Sequence, residues 1–396
     1  MKRALILCEV FHPEDFLIND LVQKWVSEGY ELEVLTRVPS YPFGKAYQGF
    51  RNRIYQKTIS YGITVHRVAI IEGYNRSVFR KILNYLTFSI LTTIVLLCIG
   101  KKFDRIFIYH TGPLTLAIAG VVSKKFLKKK LAIWTQDLWP DTVFAYGFRE
   151  TKLRKALLNW FVRAIYKNCD LILVSSEGFI EKIRKFVPDK EIIFIPNWPA
   201  VDNVLVEIEK LPGDFNFTFA GNIGKVQNLE NVIAGFSLFV KSNPAAYLNI
   251  IGDGSSLDFL KAFVKEKKIP NVNFTGRRPL SEMPAYFAAS DVLILSLKDM
   301  PLFELTVPLK FRDYLTASKP IFSLIRGEVS RLVDKYSLGI SSDPIDVETM
   351  AKCYEKFYKS SRDELNNFSK NAAFLLATNY SKELNIHKIT DCFWLD

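Results

Sequence analysis

Short aliphatic runs alternate with longer helix-like stretches from residue 4 to about residue 195. The alternation stops at Asn197-Trp198-Pro199-Ala200 and begins again at residue 215. Strands are expected at 4–10, 31–37, 63–68, 105–110, 131–135, 170–175 and 191–195, with helices near 15–28, 78–100, 112–126, 151–168 and 177–186 between them. The second series places strands at 215–220, 247–251, 272–275, 291–296 and 320–325. Its helices fall near 228–241, 256–267, 282–289, 309–317 and 346–359. Strands that are aliphatic throughout have both faces covered, and strand–helix alternation builds parallel, doubly wound sheets. At 396 residues the chain exceeds one ordinary core. The expectation is therefore α/β, two Rossmann-like domains facing across a cleft. Residues 1–200 form the first and 201–375 the second, with a polar boundary at about 200–213. A C-terminal helix at 376–396 is expected to return to the first domain.

Five cysteines, Cys8, Cys98, Cys169, Cys353 and Cys392, are widely spaced, with no CxxC and no metal-ligand spacing. Reduced thiols in a cytoplasmic protein are expected. The aliphatic run after Met1-Lys2-Arg3 is too short for a signal peptide. The net charge of +12 is unevenly distributed: residues 1–200 hold 30 Lys and Arg against 17 Asp and Glu, and residues 201–396 hold 23 against 24. A basic lobe attracts phosphates, nucleic acid or anionic lipid. No nucleic-acid-binding signature is present, so nucleic acid is set aside.

Ile82 to Gly100 is 19 residues without a charge. Asn84, Thr87, Ser89, Thr92 and Thr93 are scattered around it, which makes the helix apolar on all sides. Three readings stand: a buried crossover helix, a helix partly immersed in a membrane interface, and a true span. Length alone permits the span, but the strand-like Asp104–Tyr109 follows at once and no second long segment brings the chain back. The interface reading draws on Arg76, Arg80, Lys81, Lys101 and Lys102 and on the Lys124–Lys130 run. A solvated helix end would also account for those lysines.

Two stretches carry chemistry. In Phe219-Ala220-Gly221-Asn222-Ile223-Gly224-Lys225-Val226-Gln227 a strand enters a glycine turn, and a helix is expected to start near Gln227. Glycines let backbone approach a ligand, free amides at a helix start attract anions, and Lys225 adds a charge. An ordinary strand–helix turn would read the same way. In Glu304-Leu305-Thr306-Val307-Pro308-Leu309-Lys310-Phe311-Arg312-Asp313, a helix opens at Thr306–Pro308 with its amides toward the sheet edge. Lys310 would reach a phosphate, Asp313 a ribose hydroxyl pair and Glu304 sugar hydroxyls; the plainer alternative is a capped surface helix with a salt bridge. Ile251-Gly252-Asp253-Gly254 and Phe274-Thr275-Gly276-Arg277 end two further strands, so all four loops should open on one edge. Together they suit a sugar joined to a nucleoside diphosphate.

The chain resembles the retaining glycosyltransferases of family GT4, which have the GT-B fold. It is most similar to the bacterial branch that moves amino sugars, of the N-acetylfucosamine type, in O-antigen and capsule assembly. The resemblance rests on Tyr41–Lys45, Gln136-Asp137-Leu138-Trp139-Pro140-Asp141, Pro196-Asn197, Gly221–Lys225 with Gln227, Gly252-Asp253-Gly254, and Thr306–Lys310 through Ser318-Lys319-Pro320. Many members carry Arg and Lys where this chain has Asn222 and Gln227. The family's paired glutamates are eight apart, whereas Glu304 and Asp313 are nine apart, and Ser318 replaces a usual glycine.

The resemblance implies a UDP-sugar donor, retention of configuration, and no cofactor or metal. The donor residues implied are Gly221, Asn222, Gly224, Lys225, Gln227, Asp253, Arg277, Glu304, Thr306, Val307, Lys310 and Asp313. Asp137 is implied beside the acceptor or the anomeric centre, with His110 as an alternative base and His12 and Tyr41 on the acceptor side. The acceptor implied is a polyprenyl-diphosphate-linked saccharide, handled on the cytoplasmic face of an anionic membrane. A sugar-nucleotide 2-epimerase and a catalytically silent sugar-nucleotide binder remain as alternatives.

Overall fold

The computed structural model describes residues 2–145, 148–199, 206–208 and 210–395. It divides into two compact units, Met1–Pro196 with Asn385–Asp396, and Asn197–Leu384. The expected boundary at 200–213 falls partly on residues 200–205 and 209, which lie outside the described residues.

The first unit holds an eight-stranded sheet: β1 Arg3–Cys8, β2 Glu31–Arg37, β3 Tyr55–Ser60, β4 Ile63–Val68, β5 Arg105–His110, β6 Lys130–Thr135, β7 Leu171–Val174 and β8 Ile192–Phe194. Their spatial order is β3-β4-β2-β1-β5-β6-β7-β8, parallel except for the β3–β4 pair. The central strands are aliphatic and sealed: Ala4, Leu5, Ile6 and Leu7 have no exposed surface. β3 was not among the expected strands. Its sequence, YQKTIS, is mostly polar and half-exposed. It exists because Tyr61-Gly62, both at positive φ, fold it back on β4 as a tight hairpin.

The helix Val78–Ile99 crosses from β4 to β5, and its polar residues are not scattered as expected. Asn84, Ser89 and Thr92 are buried, while Phe79, Leu86, Ile90 and Ile94 are exposed. Most inward polar groups find backbone partners: Asn84 Oδ1 accepts from the Ile71 amide (2.9 Å) and Ser89 Oγ donates to the Thr115 carbonyl (2.8 Å), while Asn84 Nδ2 is buried unbonded. The inner face thus mixes these polar groups with Phe88 and Leu96, and unlike an ordinary surface helix the outer face is largely apolar. It is long and apolar enough to span a bilayer, yet it lies against its own sheet and against the helix Ala117–Leu127, with 28% of its most apolar window buried. A fully buried crossover helix does not describe it.

Residues 385–396 belong to the first unit. Trp25 Nε1 donates to Thr390 Oγ1 (2.8 Å), and the Trp25 ring stacks on Phe393 at 5.4 Å. The helix carrying them, Lys382–Trp394, ends the fold.

The second unit holds a six-stranded parallel sheet: β9 Phe215–Ala220, β10 Ala246–Ile251, β11 Val272–Gly276, β12 Val292–Ser296, β13 Ile321–Leu324 and β14 Gly339–Ser341. The order is β11-β10-β9-β12-β13-β14. The chain steps outward from β9 to β11 and then restarts on the other side of β9, which leaves a crevice beyond the strand ends where connections diverge. On one face Phe217, Phe236, Phe322 and Tyr354 form an aromatic core; on the other, Leu293, Phe311, Tyr314 and Leu315 seat the helix Leu309–Ala317.

Candidate functional site

In the second unit the carboxyl ends of β9, β10 and β11 and the helix Leu309–Ala317 enclose a pocket of about 590 Å³. It is lined by Gly221, Asn222, Asp253, Arg277, Lys310 and Asp313, six of the residues expected from sequence, and also by Arg278 and Phe287. The loops are laced to each other by backbone. Gly221 N donates to Ile251 O (2.8 Å), Gly252 N to Gly276 O (2.9 Å), and Ile223 N to Asp253 O (2.8 Å). Gly252 sits at φ +139°, and a Cβ there would lie 1.9 Å from the Gly221 carbonyl oxygen. Only glycine permits that approach.

Lys310 lies along the glycine turn. A Cβ on Gly221 would meet Lys310 Cε at 2.4 Å and Nζ at 2.7 Å. The ammonium stands 3.8 Å from the Phe219 ring centroid and donates to Gln227 Oε1 at 3.1 Å. Burial pulls its pKa down to about 7, with the Asp313 carboxylate opposing. Burial also raises the Asp313 carboxyl, partly offset by Arg312 and then Lys310. Asp313 Oδ1 is buried without a hydrogen-bond partner, its distance to Arg312 Nε being 3.5 Å. Both groups are held in a medium that disfavours their charge, so a ligand of matching polarity gains from them. The helix itself is fixed by Tyr314, whose hydroxyl accepts from the Ala220 amide and donates to the Ile294 carbonyl, both at 3.2 Å.

The remaining expected donor residues do not line this pocket. The α-helix after the glycine turn begins at Leu229, two residues beyond Gln227, because Lys225–Gln227 is a 3-10 turn and Asn228 is left-handed (φ 54°). Lys225 is exposed on that turn, and Gly224 backs onto Asn222. Glu304 is exposed in the turn Phe303–Leu305, where its charge acts on Arg326. The Thr306 amide donates to Phe303 O (3.3 Å), so it is not a free helix-start amide, and Val307 is half-buried against the core.

Arg278, which sequence reading passed over, packs on Tyr286 at 5.9 Å, with Nε buried and unbonded. Its signal was the paired arginine directly after a strand.

In the first unit the candidate residues gather at the carboxyl ends of β1, β2, β5 and β6. Asp137 is half-buried; burial first, and then the nearby Glu9 charge, raise its pKa to about 7. Glu9 also abuts Gly112, where a Cβ would fall 2.7 Å from Glu9 Oε2. Arg37 is 2% exposed and pairs with Glu9 and, at 4.0 Å, with Glu14. Glu14 Oε1 in turn accepts the Ser40 and Tyr41 amides (2.9 and 2.7 Å). No expectation had named these three residues.

His110 is fully buried, donates from Nε2 to the Gly112 carbonyl (2.8 Å), and is pushed down to about 4 by burial. It is therefore neutral near pH 7, and Asp137 is the more exposed of the two candidate bases. His12 stacks edge-on against Tyr61 at 4.9 Å, its pKa lowered by burial and Arg67. Tyr41 is 51% exposed. Among the described residues, no three His, Cys, Asp or Glu side chains gather as they would around a metal ion.

Residues 204–373 match the family model described as "Glycosyl transferases group 1". The match falls within the second unit, and the chain has the GT-B fold. WbjE of Pseudomonas aeruginosa, named a probable glycosyltransferase, is 26% identical over 295 residues, covering 71% of this chain and 72% of that protein. WcaI of Escherichia coli strain K12, whose name links it to colanic acid biosynthesis, is 23% identical over 294 residues, with 69% and 70% covered. Among solved structures, Anabaena HepE in complex with UDP and glucose superposes with a TM-score of 0.67 over 99% of both chains, at 13% identity.

Proposed function

We propose that the protein is a retaining glycosyltransferase of surface polysaccharide assembly, in the class of O-antigen and capsule synthesis. It moves an N-acetylated sugar from a UDP-sugar to a polyprenyl-diphosphate-linked saccharide. The observation that carries this reading is the pocket at the ends of β9, β10 and β11, where the desolvated Lys310 ammonium and the unbonded Asp313 Oδ1 stand beside the glycine turns. The HepE structure, which holds UDP and glucose on the same fold, supports a UDP-sugar donor. The names of WbjE and WcaI support a transferase of bacterial polysaccharide synthesis. The N-acetyl group and the lipid-linked acceptor rest on the resemblance in motifs.

In this mechanism the Lys310 ammonium, with Arg277, offsets the charge of the departing diphosphate, and no metal is required. Asp313 holds the ribose hydroxyls. The bond from the anomeric carbon to the β-phosphate oxygen breaks, and the acceptor hydroxyl bonds to the same face of that carbon. Its proton passes to the leaving diphosphate. Asp137, when ionised, stabilises the oxocarbenium-like carbon or orients the acceptor. The enzyme works on the cytoplasmic side, held at an anionic membrane by the basic first unit and the exposed apolar face of helix Val78–Ile99.

A thermal-shift screen of nucleotide sugars tests the donor. UDP-N-acetylhexosamines should raise the melting temperature and give transfer to a polyprenyl-diphosphate disaccharide. Stabilisation by GDP- or ADP-sugars alone contradicts the donor assignment. Release of free sugar or an epimer without any acceptor contradicts the transferase.

A further inference from the structure

Parallel strands joined by right-handed crossovers place their connecting helices on one side of the sheet when the strand order advances in one direction. From β4 to β5, β5 to β6 and β6 to β7 the order advances in one direction. The longest helices in those connections are Val78–Ile99, Ala117–Leu127 and Lys152–Asn168. The middle one packs against both of the others. Three helices therefore share one face of the first unit.

The outermost of them, Lys152–Asn168, buries Val162, Ile165 and Tyr166 against the unit. On its other side Leu153, Leu157 and Trp160 are 80%, 62% and 67% exposed. Spaced i, i+4 and i+7, they form one helical stripe. Three large apolar side chains left in water along one stripe mark a contact surface, not scattered exposure. Phe126, at the end of the middle helix, is 75% exposed and stands among Lys124, Lys125, Lys128 and Lys129.

Charge says what the surface meets. Residues 76–170 hold 17 Lys and Arg against 5 Asp and Glu, and residues 149–168 hold six basic residues with Glu150 as the single acid. An interface with another copy of this chain would set those like charges against each other. Apolar residues rimmed by cations, with a tryptophan among them, suit the boundary between anionic headgroups and acyl chains.

We propose that helix Lys152–Asn168 is a second membrane-contact element. Leu153, Leu157 and Trp160 enter an anionic lipid surface beside the apolar face of helix Val78–Ile99, and Lys152, Arg154 and Arg163 meet its headgroups. This deepens the membrane-surface reading above and rests on it. Two parallel contacts would fix the rotation of the first unit on the membrane, which one helix alone leaves free.

Flotation of the full chain with vesicles of phosphatidylcholine and phosphatidylglycerol, 3:1, tests it. The triple variant Leu153→Ser/Leu157→Ser/Trp160→Ser should bind about tenfold more weakly, with an unchanged melting temperature and UDP affinity. Brominated lipids should quench part of the wild-type tryptophan fluorescence, and Trp160→Phe should lose that part. If the triple variant floats like wild type while Phe79→Ser/Leu86→Ser/Ile90→Ser does not, the second contact is wrong and the membrane reading stands. If wild type does not float, the membrane reading itself fails. If wild type sediments as a dimer that the triple variant abolishes, without vesicle binding, the stripe is a copy-to-copy interface and the proposal is overturned.

Discussion

Lys310 and Asp313 in the second unit are drawn toward neutrality by burial, and neither has a full set of partners. Arg37 in the first unit is buried more deeply than either, but it pairs with Glu9 and Glu14, and Glu14 takes two further backbone amides. Both regions lie at the carboxyl edge of a parallel sheet. The difference lies in the counter-charges: Arg37 leaves only Nε unbonded and has two carboxylates beside it, whereas Asp313 Oδ1 is unbonded and Lys310 has one amide oxygen as its hydrogen-bond acceptor. Buried charge marks a binding site when its partners are missing, not whenever it is buried.

The largest effect should come from breaking the Arg37 set. Arg37→Ala leaves two buried carboxylates without their cation and should cost about 3–5 kcal/mol of stability, read as a lowered melting temperature. UDP affinity of the folded protein should stay within about twofold, a difference of under ~0.5 kcal/mol. A strong loss of UDP binding would mean that the first unit holds the nucleotide.

Gly252→Ala comes next. Its Cβ would strike the Gly221 carbonyl at a positive φ, so the two loops must part. Strain of about 1–3 kcal/mol should appear as a loss of UDP affinity exceeding the loss of thermal stability.

A smaller effect follows from pH. With Lys310 near 7, its amine is largely neutral at pH 8, and a diphosphate must recharge it. UDP binding should take up a proton above pH 7, and affinity should fall by at most about tenfold per pH unit, checked by calorimetry in buffers of different ionisation enthalpy. Lys310→Ala should abolish the uptake. The smallest effect is Glu9→Gln. The charge that adds to burial in raising Asp137 disappears, so the pH midpoint of the transfer rate should move acidward by under about one unit. A move in the other direction would show that Glu9 does not act on Asp137.

Much of this was legible in the sequence because local rules govern it. Aliphatic runs, glycine turns and Pro308 before a helix gave both sheets and the loops of the pocket, including Lys310 and Asp313. β3 escaped because a polar edge strand has no aliphatic signal and exists only through its hairpin with β4. The Glu9–Arg37–Glu14 set escaped because its members are far apart in the chain and meet only through the sheet order. Lys225 and Glu304 were expected at the ligand from their places in the two loops and from the resemblance, but the 3-10 turns at 225–227 and 303–305 leave both exposed and off the pocket wall. The helix at 78–99 was read as apolar on all sides. Its polar residues turn inward because Asn84 and Ser89 have backbone partners there that no sequence pattern displays.

Calorimetric titration of UDP and of uridine into wild type, Lys310→Ala and Asp313→Ala probes the Lys310–Asp313 pair most directly. Lys310→Ala should weaken UDP by about 100-fold, as expected for losing a charged contact of ~1.5–3 kcal/mol, and leave uridine unchanged. Asp313→Ala should weaken both by about tenfold, the loss of a ribose hydrogen bond. Unchanged UDP affinity in both variants would contradict the assignment of this pocket to the nucleotide.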